Sequence, residues 1–108
     1  MKITISEAEK NQPFLAIEGK IKTYEDFLEF KNSIEVVLEK NKNKSALFLF
    51  FIDTYPINSY AIGYLMKLKE NDGIDLQLYT NNMKTLNLFK YLELDKKFQI
   101  IIKQTKDR

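Results

Sequence analysis

The chain has 108 residues, of which 44% are apolar, including eight Phe and six Tyr; that suffices for one domain with its own core and leaves no room for two. Cys and His are both absent, which excludes disulfides, thiolate nucleophiles, Cys or His metal sites and imidazole acid-base chemistry. Seventeen basic residues are interspersed with fifteen acidic ones for a net charge of +2, and the single Arg is the terminal Arg108, so the basic stripe of a nucleic-acid-binding protein is missing.

Met1 to Lys10 reads MKITISEAEK, with neither an apolar stretch nor a small-residue cleavage site, and nowhere do about eighteen apolar residues run together. A cytoplasmic protein with no membrane span is expected.

Lys2 to Ser6 alternates, with Ile3 and Ile5 on one face, and predicts a half-buried strand. Asn11-Gln12-Pro13 supplies a turn, and Phe14 to Ile17 a second strand that stops at Gly19; the two suit a hairpin. From Thr23 the period changes: Phe27, Phe30, Ile34, Val37 and Leu38 recur at helical spacing, with Thr23 as cap and Asp26 three residues on to complete a capping box. This helix should run to about Lys40, and Lys40-Asn41-Lys42-Asn43-Lys44 reads as a solvated loop.

Ala46 to Ile52, ALFLFFI, shows no polar alternation, the pattern of a central strand covered on both faces. A loop over Asp53 to Asn58 around Pro56 precedes a second helix, Ser59 to Asn71, with Ala61, Ile62, Leu65 and Leu68 on one side; Tyr64 also reads as core. Asn71-Asp72-Gly73 ends it, Gly73 suiting the left-handed position past a helix. Asp75 to Tyr79 makes a further strand, Asn82 caps a third helix carrying Leu86, Phe89 and Leu92, and Phe98 to Ile102 gives the last strand before a polar tail from Lys103 to Arg108. Strand, strand, helix, strand, helix, strand, helix, strand predicts a single α/β domain with a mixed, mostly parallel sheet of four to five strands.

The stretch Leu47 to Leu65, LFLFFIDTYPINSYAIGYL, resembles the signature of STAS domains, in which an apolar strand and a short loop lead into an Asp-Ser-Ser-Gly-Leu-Gly-like motif opening a helix; the corresponding run is Asn58-Ser59-Tyr60-Ala61-Ile62-Gly63. Ile17-Glu18-Gly19-Lys20-Ile21 resembles the segment before that family's first helix, Asn71-Asp72-Gly73-Ile74 its Gly turn, and Leu92-Glu93-Leu94 to Ile100 its closing segment, so the likeness covers roughly Ile3 to Ile102. The resemblance implies a bacterial protein-binding module of the anti-sigma-factor-antagonist type. Its partner would be an anti-sigma factor that is also a serine kinase, with Ser59 at the phospho-acceptor position. At four positions the chain departs from that pattern: Asn58 replaces the Asp before the Ser, Tyr60 the second Ser, Ala61 the first Gly, and Lys22 an acidic residue. A neutral and a basic group in place of two carboxylates alter recognition by a kinase suited to the acidic version.

Two readings of the loop stay open on residue type. Ser59 is either a phospho-acceptor or an ordinary cap beside Asn58, and Tyr24, Tyr55, Pro56 and Tyr60 either form a contact surface or cover the sheet end. The expected partner-binding set is Lys22, Tyr24, Tyr55, Pro56, Asn58, Ser59, Tyr60 and Gly63. The alternative is a STAS-like subunit without a switch, one that stabilises a transporter ATPase or scaffolds another complex. Catalysis by carboxylates such as Asp53 or Asp72 is not expected, nor is a cofactor or a metal; nucleic acid is not an expected partner, whereas exposed aromatics would permit a homodimer.

Overall fold

A computed structural model describes residues 1–7, 13–41 and 46–103. Five strands, β1 (Lys2–Glu7), β2 (Pro13–Glu18), β3 (Ala46–Ile52), β4 (Asp75–Thr80) and β5 (Gln99–Ile102), form one sheet in sequential order. β1 runs antiparallel to β2, and β2, β3, β4 and β5 are mutually parallel. The parallel pairs are joined through α1 (Tyr24–Lys40), α2 (Ser59–Glu70) and α3 (Met83–Tyr91), and a short 3-10 turn at Leu94–Lys96 follows α3. The expected α/β architecture with a mixed, mostly parallel sheet is therefore present. The Asn11-Gln12 turn, the Lys42 to Lys44 run and the tail past Lys103 lie outside the described residues.

Every crossover steps the same way along the sheet, and the right-handed rule then sends all three helices to one face. The register agrees: Leu15, Ile17, Leu47, Leu49, Phe51, Leu76 and Leu78 share that face and are at most 1% exposed. Phe30, Ile34 and Val37 of α1, Ala61, Leu65 and Leu68 of α2, and Phe89 of α3 close the same core.

Among the described residues no element covers the opposite face, which corrects the expectation that β3 is buried on both sides. Phe14, Ala16, Phe48, Ile52, Gln77, Tyr79 and Ile101 are half-buried there, and Phe50 is at the margin of burial. An apolar run reads as doubly covered because aromatic residues on the open side remove the polar alternation that would betray it. They shield one another instead: ring centroids lie 6.3 Å apart for Phe14–Phe50, 6.2 Å for Phe48–Tyr79 and 6.3 Å for Phe50–Tyr79.

Helix ends follow the sequence closely. The Asp26 N–H donates to Thr23 Oγ1 (3.0 Å), and Asp26 Oδ2 accepts from the N–H groups of Lys22 (3.0 Å) and Thr23 (3.1 Å), completing the capping box. Those backbone donors, Lys22 first, hold the Asp26 carboxyl below its ordinary value. Gly73 has φ +69°, while the N–H groups of Asp72 and Ile74 return to the carbonyls of Lys67 and Leu68, so the turn uses the freedom that only glycine offers cheaply. Asn82 Oδ1 accepts from the N–H groups of Lys84 and Thr85, as expected of the α3 cap.

Two boundaries at the C-terminal end differ. Leu92 follows α3 as its cap residue and is 41% exposed, because Glu93 adopts φ +60° and turns the chain. Leu94, two residues later, takes the core position, and β5 begins at Gln99 after the buried Phe98.

Candidate functional site

Backbone pairing beyond the strands brings the starts of α1 and α2 together. The Gly19 N–H donates to Ile52 O (3.1 Å), Ile21 N–H to Pro56 O (2.9 Å) and Asn58 N–H to Ile21 O (2.9 Å), so Ile21 and Ile57 form an isolated parallel bridge. Both loops leave the C-terminal ends of neighbouring parallel strands, and the bridge keeps them in step up to the helices.

Asn58 fastens the second helix to the first. Its Oδ1 accepts from the Ala61 N–H (3.1 Å) and its Nδ2 donates to Thr23 O (3.0 Å). An Asp could accept the first bond but could not donate the second. The amide at 58 thus has a structural reason, and Asn58→Asp should lower stability by about 1 kcal/mol while leaving the α2 cap intact, measurable by urea unfolding.

Ser59 is the first residue of α2, exposed, and its hydroxyl has no hydrogen-bond partner among the described residues. Capping falls to Asn58, so Ser59 is not the cap. Tyr60 next to it is 56% exposed and Tyr24 is 50% exposed. Their rings meet edge to face at 5.0 Å, and both rest on Phe27, at 5.8 Å from Tyr24 and 5.6 Å from Tyr60. Phe27 in turn contacts Tyr64 (6.1 Å), which is buried and donates to Glu35 Oε2 at 3.4 Å. Burial first, and Glu35 second, push the Tyr64 hydroxyl well above the ordinary tyrosine value, so it stays protonated.

The expected cluster is thereby reduced and re-centred. Tyr24, Ser59 and Tyr60 come together on one platform, whereas Tyr55 leans the other way, with Lys84 Nζ of α3 5.9 Å from its ring centre. Pro56, joined to Tyr55 by a cis peptide bond, is exposed between the two, and Lys22 is exposed one residue beyond the Ile21 carbonyl that binds Asn58. Gly63 is exposed one turn along α2, and a Cβ placed on it meets nothing within 4 Å. Neither sterics nor backbone conformation requires glycine there, so Gly63→Ala should raise stability by about 1 kcal/mol, read as a higher urea midpoint.

Three buried threonines hold the loop from beneath and were not singled out from sequence. Thr54 Oγ1 donates to Ile17 O (2.9 Å), with Ile52 O at 3.0 Å; Thr85 Oγ1 donates to Thr54 O (2.6 Å); Thr80 Oγ1 donates to Phe51 O (2.9 Å) and accepts from Asn82 N–H (3.1 Å). All three side chains are fully buried. Asp53, at φ +51°, is tied to Asn81, whose Oδ1 accepts from the Asp53 N–H (2.9 Å) and whose Nδ2 donates to Asp53 Oδ1 (3.3 Å). Asp72 pairs with Lys67 at 2.9 Å. Both candidate catalytic carboxylates therefore have structural partners.

Among the described residues no group of three or more Asp or Glu lies together as a metal ion would need, and no helix is long and apolar enough to cross a membrane. The sequential strand order also lacks a reversal point, the crevice in which open α/β sheets hold nucleotides and similar ligands. No protein-family model matches the chain, and no curated protein matches it. The STAS resemblance accordingly rests on the quoted residues and their order.

Proposed function

We propose that this protein is a non-catalytic docking module of the anti-sigma-antagonist kind, binding a partner protein through the α1–α2 entrance and switched by phosphorylation of Ser59. The observation that supports it most is the free, exposed Ser59 hydroxyl beside the Tyr24–Tyr60 pair. Two exposed aromatic side chains anchored on a buried third offer large contact area at small entropic cost, which is what interface hot spots need.

A phosphate on Ser59 would sit at the positive end of the α2 dipole, within reach of the first N–H groups of the helix, which have no carbonyl one turn earlier to bind. Lys22 adds a cation from the adjoining loop. The same phosphate would bring nearly two negative charges to the edge of an aromatic contact surface and oppose docking there.

The test places a photo-crosslinking residue at Tyr60 in the protein's own cells, with the same residue at the exposed Asp95 of the 3-10 turn as control, and maps phosphopeptides across Ser59. A partner captured at 60, retained in Ser59→Ala and lost in Ser59→Asp, supports the reading. Capture that ignores both substitutions removes the switch and favours the constitutive scaffold, and equal capture at 60 and 95 removes the docking site.

A further inference from the structure

Strand β1 is one edge of the sheet, and among the described residues no strand lies beyond it. We infer that this edge is the interface of a reversible homodimer, in which β1 pairs antiparallel with β1 of a second copy about a two-fold axis through Thr4, perpendicular to the sheet.

Backbone direction supplies the first argument. The Gly19 N–H donates to Ile52 O, so Gly19, Ile17 and Leu15 turn their N–H and C=O groups towards β3, and the alternate residues Glu18, Ala16 and Phe14 turn theirs towards β1. Lys2 and Thr4, opposite Glu18 and Ala16, answer them, which leaves Ile3 and Ile5 aiming their backbone groups away from the sheet. Natural edges are guarded by a proline, a bulge or a central charge. Ile3-Thr4-Ile5 contains neither charge nor proline, and its register against β2 is unbroken. An axis through Thr4 sets Ile3 of each copy opposite Ile5 of the other, so the two pairs exchange four N–H···O bonds, and Lys2 is carried outward from the centre.

Side chains select a second copy over a loose peptide. Ile3 and Ile5 lie on the helix-covered face beside Ile17 and Leu15, yet Ile5 is 51% exposed at the rim. An added peptide strand would satisfy the backbone and leave the layer above it empty. A second copy brings its own cover, because α1 touches both β1 and β2. Its axis then lies about 5 Å in from the dimer line, and the two α1 helices come to about 10 Å, an ordinary packing distance.

Extent sets the strength. A strand about 20 Å long in a sheet-and-helix layer about 20 Å deep presents roughly 400 Å² per copy. The total of roughly 800 Å² is below the standard specific interface and fits a weak dimer, with a dissociation constant on the order of 100 µM. The axis also sends the two α1–α2 entrances to opposite ends of the particle, so each stays clear of the other.

Sedimentation velocity on the full chain from about 10 to 1,000 µM, with amide exchange over the same range, tests this. A monomer–dimer equilibrium is expected, with the Ile3 and Ile5 amides slowed about fourfold at the upper end and Thr4 protected throughout. Ile5→Pro deletes an N–H that the monomer does not use, so it should raise the dissociation constant at least tenfold while the urea midpoint of the dilute protein stays nearly unchanged. Ile5→Lys, at an exposed position, should weaken the dimer as much. A monomer at 1,000 µM overturns the inference. A dimer indifferent to both variants also overturns it, as does one in which Ile3 and Ile5 exchange equally fast at every concentration.

Discussion

Phe27→Ala is expected to cost about 3–4 kcal/mol and to abolish partner capture through Tyr60. The ring is 8% exposed and is the shared support of Tyr24, Tyr60 and Tyr64, at 5.8, 5.6 and 6.1 Å. Truncation removes the transfer energy of a buried phenyl and opens a cavity beneath two exposed rings, which gain freedom that a partner must then take away. Urea unfolding measures the first effect. The chain contains no Trp, so near-UV circular dichroism reports the order of the tyrosines directly.

Phe27→Leu separates stability from docking. It keeps most of the apolar volume and forfeits three ring contacts, each worth about 0.5 kcal/mol at the low end for partly exposed partners, so stability should fall by only about 1.5–2 kcal/mol. If capture at Tyr60 nevertheless drops sharply, the aromatic platform itself is what the partner reads. Full capture by Phe27→Leu would show instead that only the backbone position of α2 matters.

Elements were legible in this sequence where a single local signal decides them. The capping box of Thr23 and Asp26, the left-handed Gly73 and the Asn82 cap each depend on residues within one turn. What could not be read locally was which side of the sheet lay bare. Phe48 and Phe50 look like core in a one-dimensional run, and only the topology, with all crossovers advancing in one direction, leaves them without a covering layer among the described residues. Leu92 and Leu94 exchange roles for a similar reason: the left-handed Glu93 between them breaks the helical period that assigned Leu92 to the core.

The site divides the same way. Ser59 and Tyr60 were visible as a strand-loop-helix signature, and Tyr24 as an aromatic at a helix start. Their juxtaposition depends on the Ile21–Ile57 bridge and on the Asn58 amide reaching Thr23, contacts between segments more than thirty residues apart. Phe27 was legible as core but not as the support of an exposed pair. The threonines carried no signal at all, since Thr54, Thr80 and Thr85 look like ordinary loop, strand and helix residues until their acceptors are known.

Those threonines give the second large effect. Thr54→Val keeps the shape of the side chain and deletes its hydroxyl, which donates to Ile17 O at 2.9 Å with Ile52 O at 3.0 Å. Ile52 O retains the Gly19 N–H at 3.1 Å and Ile17 O keeps its place in the parallel β2–β3 ladder, so the loss is that of a buried second hydrogen bond on each, with an expected cost of about 1.5 kcal/mol. Thr85→Val strips the 2.6 Å bond from Thr54 O and should cost about as much. Because both hydroxyls fix the same turn between β3 and α2, the double variant should be less destabilised than the two costs together, by roughly 0.5–1 kcal/mol in a urea double-mutant cycle. Additive losses would mean that the two bonds act independently. Coupled losses would mean that Thr54 and Thr85 hold one loop conformation, and with it the position of Ser59 against Tyr24, from inside the protein.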